Sequence, residues 1–181
     1  IAPLLTEISG FDESAVSAVL LVFGGGLVAG NLLGGRLADR NLFHAIVGTL
    51  AALAITLATM AWAMDSRTLA IVFTGLLGAT GFATVAPLQM WVLSKADGAG
   101  QSLASSFNIG AFNLGNAIGA WAGGMVIDHG SGIAFLPVAA PVFPLLAIAT
   151  ALLAVRAASA AERTLQPNQT AQMTGSNDNA N

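Results

Sequence analysis

Two groups of side chains in this sequence could do chemistry. The first is a charged knot, Arg36, Asp39 and Arg40, inside the stretch GGRLADRN (34–41) that closes a long apolar run. An aspartate between two arginines can make and break ion pairs with neighbouring segments. The second is a set of amides, Asn31, Gln89, Asn108, Asn113 and Asn116, each standing in an otherwise apolar stretch. A carboxamide there offers both hydrogen-bond donors and acceptors. Phe82, Trp91, Phe107 and Phe112 could add apolar or stacking surface beside them. The run GGG at 24–26 lacks the lysine that a phosphate-binding loop needs, so packing explains it. His44 and His129 are read as loop residues, solvated rather than serving as proton relays. There is no cysteine, hence no disulfide or thiol chemistry. With no nucleophile constellation and no metal cluster, the chain reads as neither an enzyme nor a metal or cofactor protein.

The elements that hold these residues follow from composition. Of 181 residues, 55% are hydrophobic and only 8% charged, with mean hydropathy +0.77. A soluble domain carries about 25% charged residues, so this chain could not coat a water-facing surface. It reads as an all-α integral membrane protein. Net charge is −3 with no basic patch, which argues against nucleic acid as a partner. A bilayer core about 30 Å thick needs around 20 apolar residues of helix. Five segments meet that length: Ala15–Gly35, Phe43–Met64, Thr68–Leu93, Leu103–Ile127 and Phe135–Val155. No Asp, Glu, Lys or Arg falls inside any of them. The connections are short, so neighbouring helices alternate in direction and the loops alternate in side. Arg36, Arg40, Lys95, Arg156 and Arg163 then share one side, and Arg67 stands on the other. The positive-inside rule makes the first side cytoplasmic.

The opening stretch IAPLLTEISG has no basic leader and no cleavage site, and reads as the last turns of a helix whose beginning is missing. The chain is therefore expected to be a fragment: a six-helix half-bundle over 1–157 with its first helix truncated, then a disordered cytoplasmic tail over 158–181. The match to a glycosylation pattern at Asn168–Thr170 in that tail is read as chance.

Glycines mark how the helices meet. Gly26, Gly30 and Gly34 recur every four residues in the first segment, and Gly115, Gly119 and Gly123 do so in the fourth. In lipid, where no hydrophobic force drives helices together, such small-residue seams permit close backbone contact. Two readings stand for both seams: static packing with the amides as interhelical glue, or smooth surfaces along which helices rock. GGRLAD (34–39) and GGMVID (123–128) both end a glycine-seamed helix, on opposite sides of the membrane by the alternation of the loops. That is the relation between inverted repeats in transporters. It places the first and fourth segments at equivalent positions in two three-helix units, which again requires a helix ending at Ile1–Ser9.

GGRLADRN has two readings as well. It is an arginine anchor fixing topology, or it is a motif. Gly35-x-Leu37-Ala38-Asp39-Arg40 resembles the cytoplasmic signature Gly-x-Leu-Ala-Asp-Arg-x-Gly-Arg-Lys of the major facilitator superfamily, with Leu42, Phe43 and His44 standing where glycine and two basic residues are usual. The resemblance covers about Ile1–Val155 and implies the end of helix seven plus helices eight to twelve of a twelve-helix fold. Gln101–Gly124 looks like the eleventh helix of the arabinose-efflux-permease-like and drug–proton antiporter group. NAIGAWAGG is similar to that group's antiporter motif, with Ala and Trp where proline is expected.

The resemblance implies a secondary active transporter in a bacterial inner membrane, exporting a sugar or drug by proton-coupled alternating access. Its partners would be lipid, the missing amino-terminal half, a small-molecule substrate and protons. Gly35, Asp39 and Arg40 would form a cytoplasmic gate, with Gly35 allowing close approach of a neighbour. Asn31, Gln89, Asn108, Phe112, Asn113 and Asn116 become substrate-cavity candidates, each of which structural glue would equally explain. Pro87 is expected to kink the third segment near Gln89. Because no span holds an ionisable group, a coupling carboxylate would belong to the missing half; Glu7 is the nearest local one. The competing reading is a non-transporting membrane subunit, or a decayed gene, packing through its glycine seams.

Overall fold

The computed structural model describes residues 2–96, 98, 100–129 and 132–157. The tail expected over 158–181, Arg163 and the Asn168 pattern lie outside the described residues. Every regular element among the described residues is helical: α1 (Ala2–Glu7), α2 (Glu13–Arg40), α3 (Leu42–Ala63), α4 (Arg67–Ala83), α5 (Val85–Ser94), α6 (Gly100–His129) and α7 (Leu136–Ala139). A 3-10 turn over Ile133–Phe135 leads into α7, and a last helix, α8, covers 142–157. The chain divides into two units, Ile1–Leu145 and Leu146–Asn181. The described part of the second is the helical stretch 146–157, and the helix packing centred on α2 and α4 lies within the first.

Among the described residues four stretches are long and apolar enough to cross a membrane: Ser14–Arg40, Leu42–Ala63, Arg67–Ser94 and Ile133–Ala157. Five are expected from the sequence. The remaining one, α6, has the length at 30 residues but not the apolarity. Asn108, Asn113 and Asn116 dilute its aliphatic content, and none of its residues is buried.

Three boundaries differ from the sequence reading, each for a local reason. α2 does not stop at Gly35 but continues through the charged motif to Arg40. The whole connection to α3 is Asn41, whose extended backbone (φ −158°, ψ 103°) closes one helix and opens the next. Its N–H reaches Leu37 O, and its side chain accepts from His44 N at 3.0 Å, as an N-cap does. The third span breaks at Thr84 rather than near Gln89. Pro87 has no N–H for the carbonyl four residues earlier and its ring crowds that carbonyl, so the discontinuity appears upstream, at Ala83–Thr84. The last span is interrupted too. Pro137 is tolerated in the first turn of α7, but Pro141 cannot donate to Pro137 O, and a turn at Ala140–Pro141 precedes α8.

Packing centres on α2 against α4. A Cβ built on Gly30 would stand 2.7 Å from the carbonyl carbon of Ala79, and one on Gly34 would stand 2.9 Å from that of Ala83. One on Gly26 would overlap the carbonyl oxygen of Gly75. Facing residues thus advance together, 26 with 75, 30 with 79, 34 with 83, so the two helices run parallel with their backbones in contact. The register also orders the ends. Arg36, Arg40 and Lys95 lie at one end of the helices, and Arg67 lies at the other. At the Arg67 end Leu4, Leu5, Val16, Val19, Met60, Met64 and Ala70 form the buried apolar core.

Candidate functional site

The charged motif sits on the last turns of α2, where helix geometry sorts its residues. At about 100° per residue, Gly34 and Ala38 continue the ridge that faces α4, and both are buried. Gly35, one step round the helix, meets nothing within 4 Å of a built Cβ. The close approach expected of Gly35 is therefore made by Gly34. Asp39 and Arg40 are exposed, with no side-chain hydrogen bond or ion pair among the described residues. Arg40 in the last turn suits the negative end of the α2 dipole.

The amides divide into two groups. Gln89 on α5 and Asn108 on α6 meet: Asn108 Nδ2 donates to Gln89 Oε1, and Gln89 Nε2 donates to Ser105 Oγ at 2.9 Å. All three are half-buried, and they join α5 to α6. Sequence reasoning missed Ser105. Its signal was the i, i+3 spacing to Asn108, which sets both on one helical face. Asn31, Asn113, Asn116 and Phe112 are exposed instead, and the three amides make no side-chain hydrogen bond among the described residues.

Near the Arg40 end, Trp91 lies 6.2 Å from Phe43 between ring centroids, tilted by 46°. Lys95 Nζ stands 5.9 Å from the Trp91 ring, within cation–π range. Phe82 and Phe107 are exposed and belong to no such cluster.

The structure also holds a cavity of about 380 Å³ that the sequence did not announce, between α3, α6 and α7. Leu57, Met60, Val126, Leu136 and Phe143 line it, and none of the amide candidates does. Gly119 and Gly123 form part of its wall. They do not pack helix against helix: Gly115 and Gly119 have open space where a Cβ would go, and Gly123 has only Leu136 Cδ2 at 3.7 Å. The α6 seam, expected to pack like that of α2, meets among the described residues only the Leu136 side chain, at Gly123.

A model of the Major Facilitator Superfamily matches residues 1–174. The chain belongs to the major facilitator superfamily. Membership in this family points to a transporter rather than an enzyme. The chain is 40% identical to the inner membrane transport protein YdhP of Escherichia coli K12 over 156 residues, which are 86% of this chain and 40% of YdhP. It is 32% identical over 156 residues to the putative transporter AraJ of the same strain, covering 84% of this chain and 39% of AraJ. A chloramphenicol resistance protein of Streptomyces lividans is 29% identical over 132 residues, 73% of this chain and 33% of that protein. The chain thus spans about 40% of the length of the first two relatives. No solved structure matches.

Proposed function

We propose that this chain is the carboxy-terminal half of a proton-coupled efflux carrier of a bacterial inner membrane, moving a small sugar or drug by alternating access. The observation that carries the reading is the Gln89–Ser105–Asn108 cluster, a hydrogen-bonding group held between two helices of a membrane transporter. A substrate with hydroxyl, carbonyl or amide groups can exchange bonds with these three side chains. Asn31, Asn113, Asn116 and Phe112 would complete the path from the exposed faces of α2 and α6, against the amino-terminal half. Gly35, Asp39 and Arg40, exposed at the cytoplasmic end, would form the contacts that close that end in one state and release it in the other, a bistable element of the kind alternating access requires. The names of YdhP and of the chloramphenicol resistance protein support the membrane and the substrate class. No span of this chain holds Asp, Glu, Lys or Arg in its apolar interior, so the coupling carboxylate belongs to the other half, and the carboxy terminus lies in the cytoplasm.

Proteoliposomes test this directly. The chain alone gives no gradient-driven flux of chloramphenicol or arabinose. Supplied with its amino-terminal half it gives flux that an uncoupler abolishes and that Gln89→Ala weakens. Robust flux from the chain alone would overturn the half-carrier reading. Flux indifferent to the uncoupler would overturn proton coupling. Stable assembly with the other half and no flux for any solute would favour a non-transporting subunit.

A further inference from the structure

Arg67 begins α4 at the end opposite Arg40 and Lys95, and it makes no ion pair with a described carboxylate. It grips backbone instead. Arg67 Nη2 donates to Gly10 O at 2.7 Å and Nε donates to Ser9 O at 3.3 Å. Its guanidinium carbon lies 5.7 Å from the centroid of the Phe11 ring. Three successive residues of the α1–α2 turn therefore meet one planar cation. Gly10 has φ +66°, a left-handed conformation that a side chain would strain. Ser9 is fastened a second time: its buried hydroxyl donates to Met64 O at 2.9 Å, in the α3–α4 connection. With a longer contact from the same Ser9 hydroxyl to Met64 Sδ at 3.8 Å, and apart from the amide cluster, these are the side-chain hydrogen bonds that join separate elements among the described residues.

We propose that Arg67 is a clasp that binds the α1–α2 turn to the start of α4, so that the end of α1, the start of α2 and the start of α4 move as one body. An arginine suits the task because its fork can reach two carbonyls at once, whereas a lysine ammonium is a point charge on a flexible stem. Resting on the half-carrier reading, Arg67 is a positioning residue for transport: it touches neither the amide cluster nor the charged motif, and acts through Ser9 and Gly10. The two ends of this chain are then mechanically unlike. The Arg67 end is braced internally, while Asp39 and Arg40 at the other end have no described partner.

Amide hydrogen exchange on the chain in phosphatidylethanolamine–phosphatidylglycerol nanodiscs tests the clasp without any transport measurement. The amides of Ile8, Ser9 and Phe11 are bonded to Leu4 and Leu5 carbonyls and report on the turn. In Arg67→Ala and Arg67→Lys alike they should exchange about tenfold faster or more, with α2 around Gly30 unchanged. Ser9→Ala, which removes only the Met64 bond, should give a smaller rise in the same amides. Unchanged exchange in Arg67→Ala, or a lysine variant that behaves as the parent, would overturn the clasp. In the transporting protein, Arg67→Lys should lower turnover and leave KM for substrate unchanged. A change confined to KM would overturn the positioning role while leaving the clasp itself standing on the exchange data.

Discussion

Removing Gln89 leaves Asn108 with no side-chain partner among the described residues, whereas removing Asn108 frees only Gln89 Oε1 and leaves Gln89 Nε2 bonded to Ser105 Oγ. An unpaired buried polar group costs about 1–3 kcal/mol, whereas side-chain hydrogen bonds between membrane helices average only about 0.6 kcal/mol, with a maximum of about 1.7. Half-burial and the lipid setting favour the smaller figure. Gln89→Ala and Asn108→Ala should each lower unfolding stability by about 1 kcal/mol, and the double variant should lose less than the sum. Additive losses in a double-mutant cycle would mean that the two amides do not interact. Asp39 behaves differently, because it is exposed and has no described partner. Asp39→Asn should leave membrane insertion and stability of the chain within about 0.5 kcal/mol of the parent, while slowing transport by the assembled carrier. Full transport in that variant would reduce the charged motif to a topological anchor.

The two glycine seams, alike as sequence, are opposite as elements. At Gly30 an added methyl would press on the Ala79 backbone, which cannot swing aside as a side chain would. Overpacking of this kind costs about 1–3 kcal/mol, against about 1 kcal/mol gained by alanine over glycine in a helix. Gly30→Ala should therefore destabilise the isolated chain in denaturant titrations. At Gly115 nothing opposes the methyl, and Gly115→Ala should be neutral or stabilising by up to about 1 kcal/mol. Equal effects at the two sites would show that the seams are alike after all. This contrast was not legible in the sequence, where both seams have the same four-residue repeat. The repeat reports that a helix can be approached closely, and only the neighbour decides whether it is. What was legible was hydropathy, which marked the spans, and the short connections, which set alternating directions. The break at Thr84 was misplaced because a proline acts on the carbonyl four residues before it. The Arg67 clasp was hidden because its acceptors are backbone carbonyls about 57 residues away, and main-chain oxygens leave no residue-type signal.

The parallel register of α2 and α4 fixes an arrangement of the whole molecule that hydropathy alone only suggests. Once Gly26, Gly30 and Gly34 face Gly75, Ala79 and Ala83 in that order, α3, which links the two helices in the chain, must run antiparallel to both, and the positions after α5 must share an end with Arg40. Lys95 over Trp91, itself against Phe43 at the start of α3, agrees with that placement. Leu42–Ala63 is long and apolar enough to cross a bilayer, so the two ends are expected to face different compartments. The chain contains no cysteine, so one introduced thiol is the only one a reagent can find. Arg40→Cys and Lys95→Cys should both be blocked by a membrane-impermeant maleimide added from the same side of sealed vesicles. Thr68→Cys, beside Arg67 but sparing the clasp, should be blocked only from the opposite side. Position 68 reacting from the Lys95 side would mean that Arg67–Ser94 does not cross, and the parallel packing of α2 on α4 could not then be the arrangement adopted in lipid.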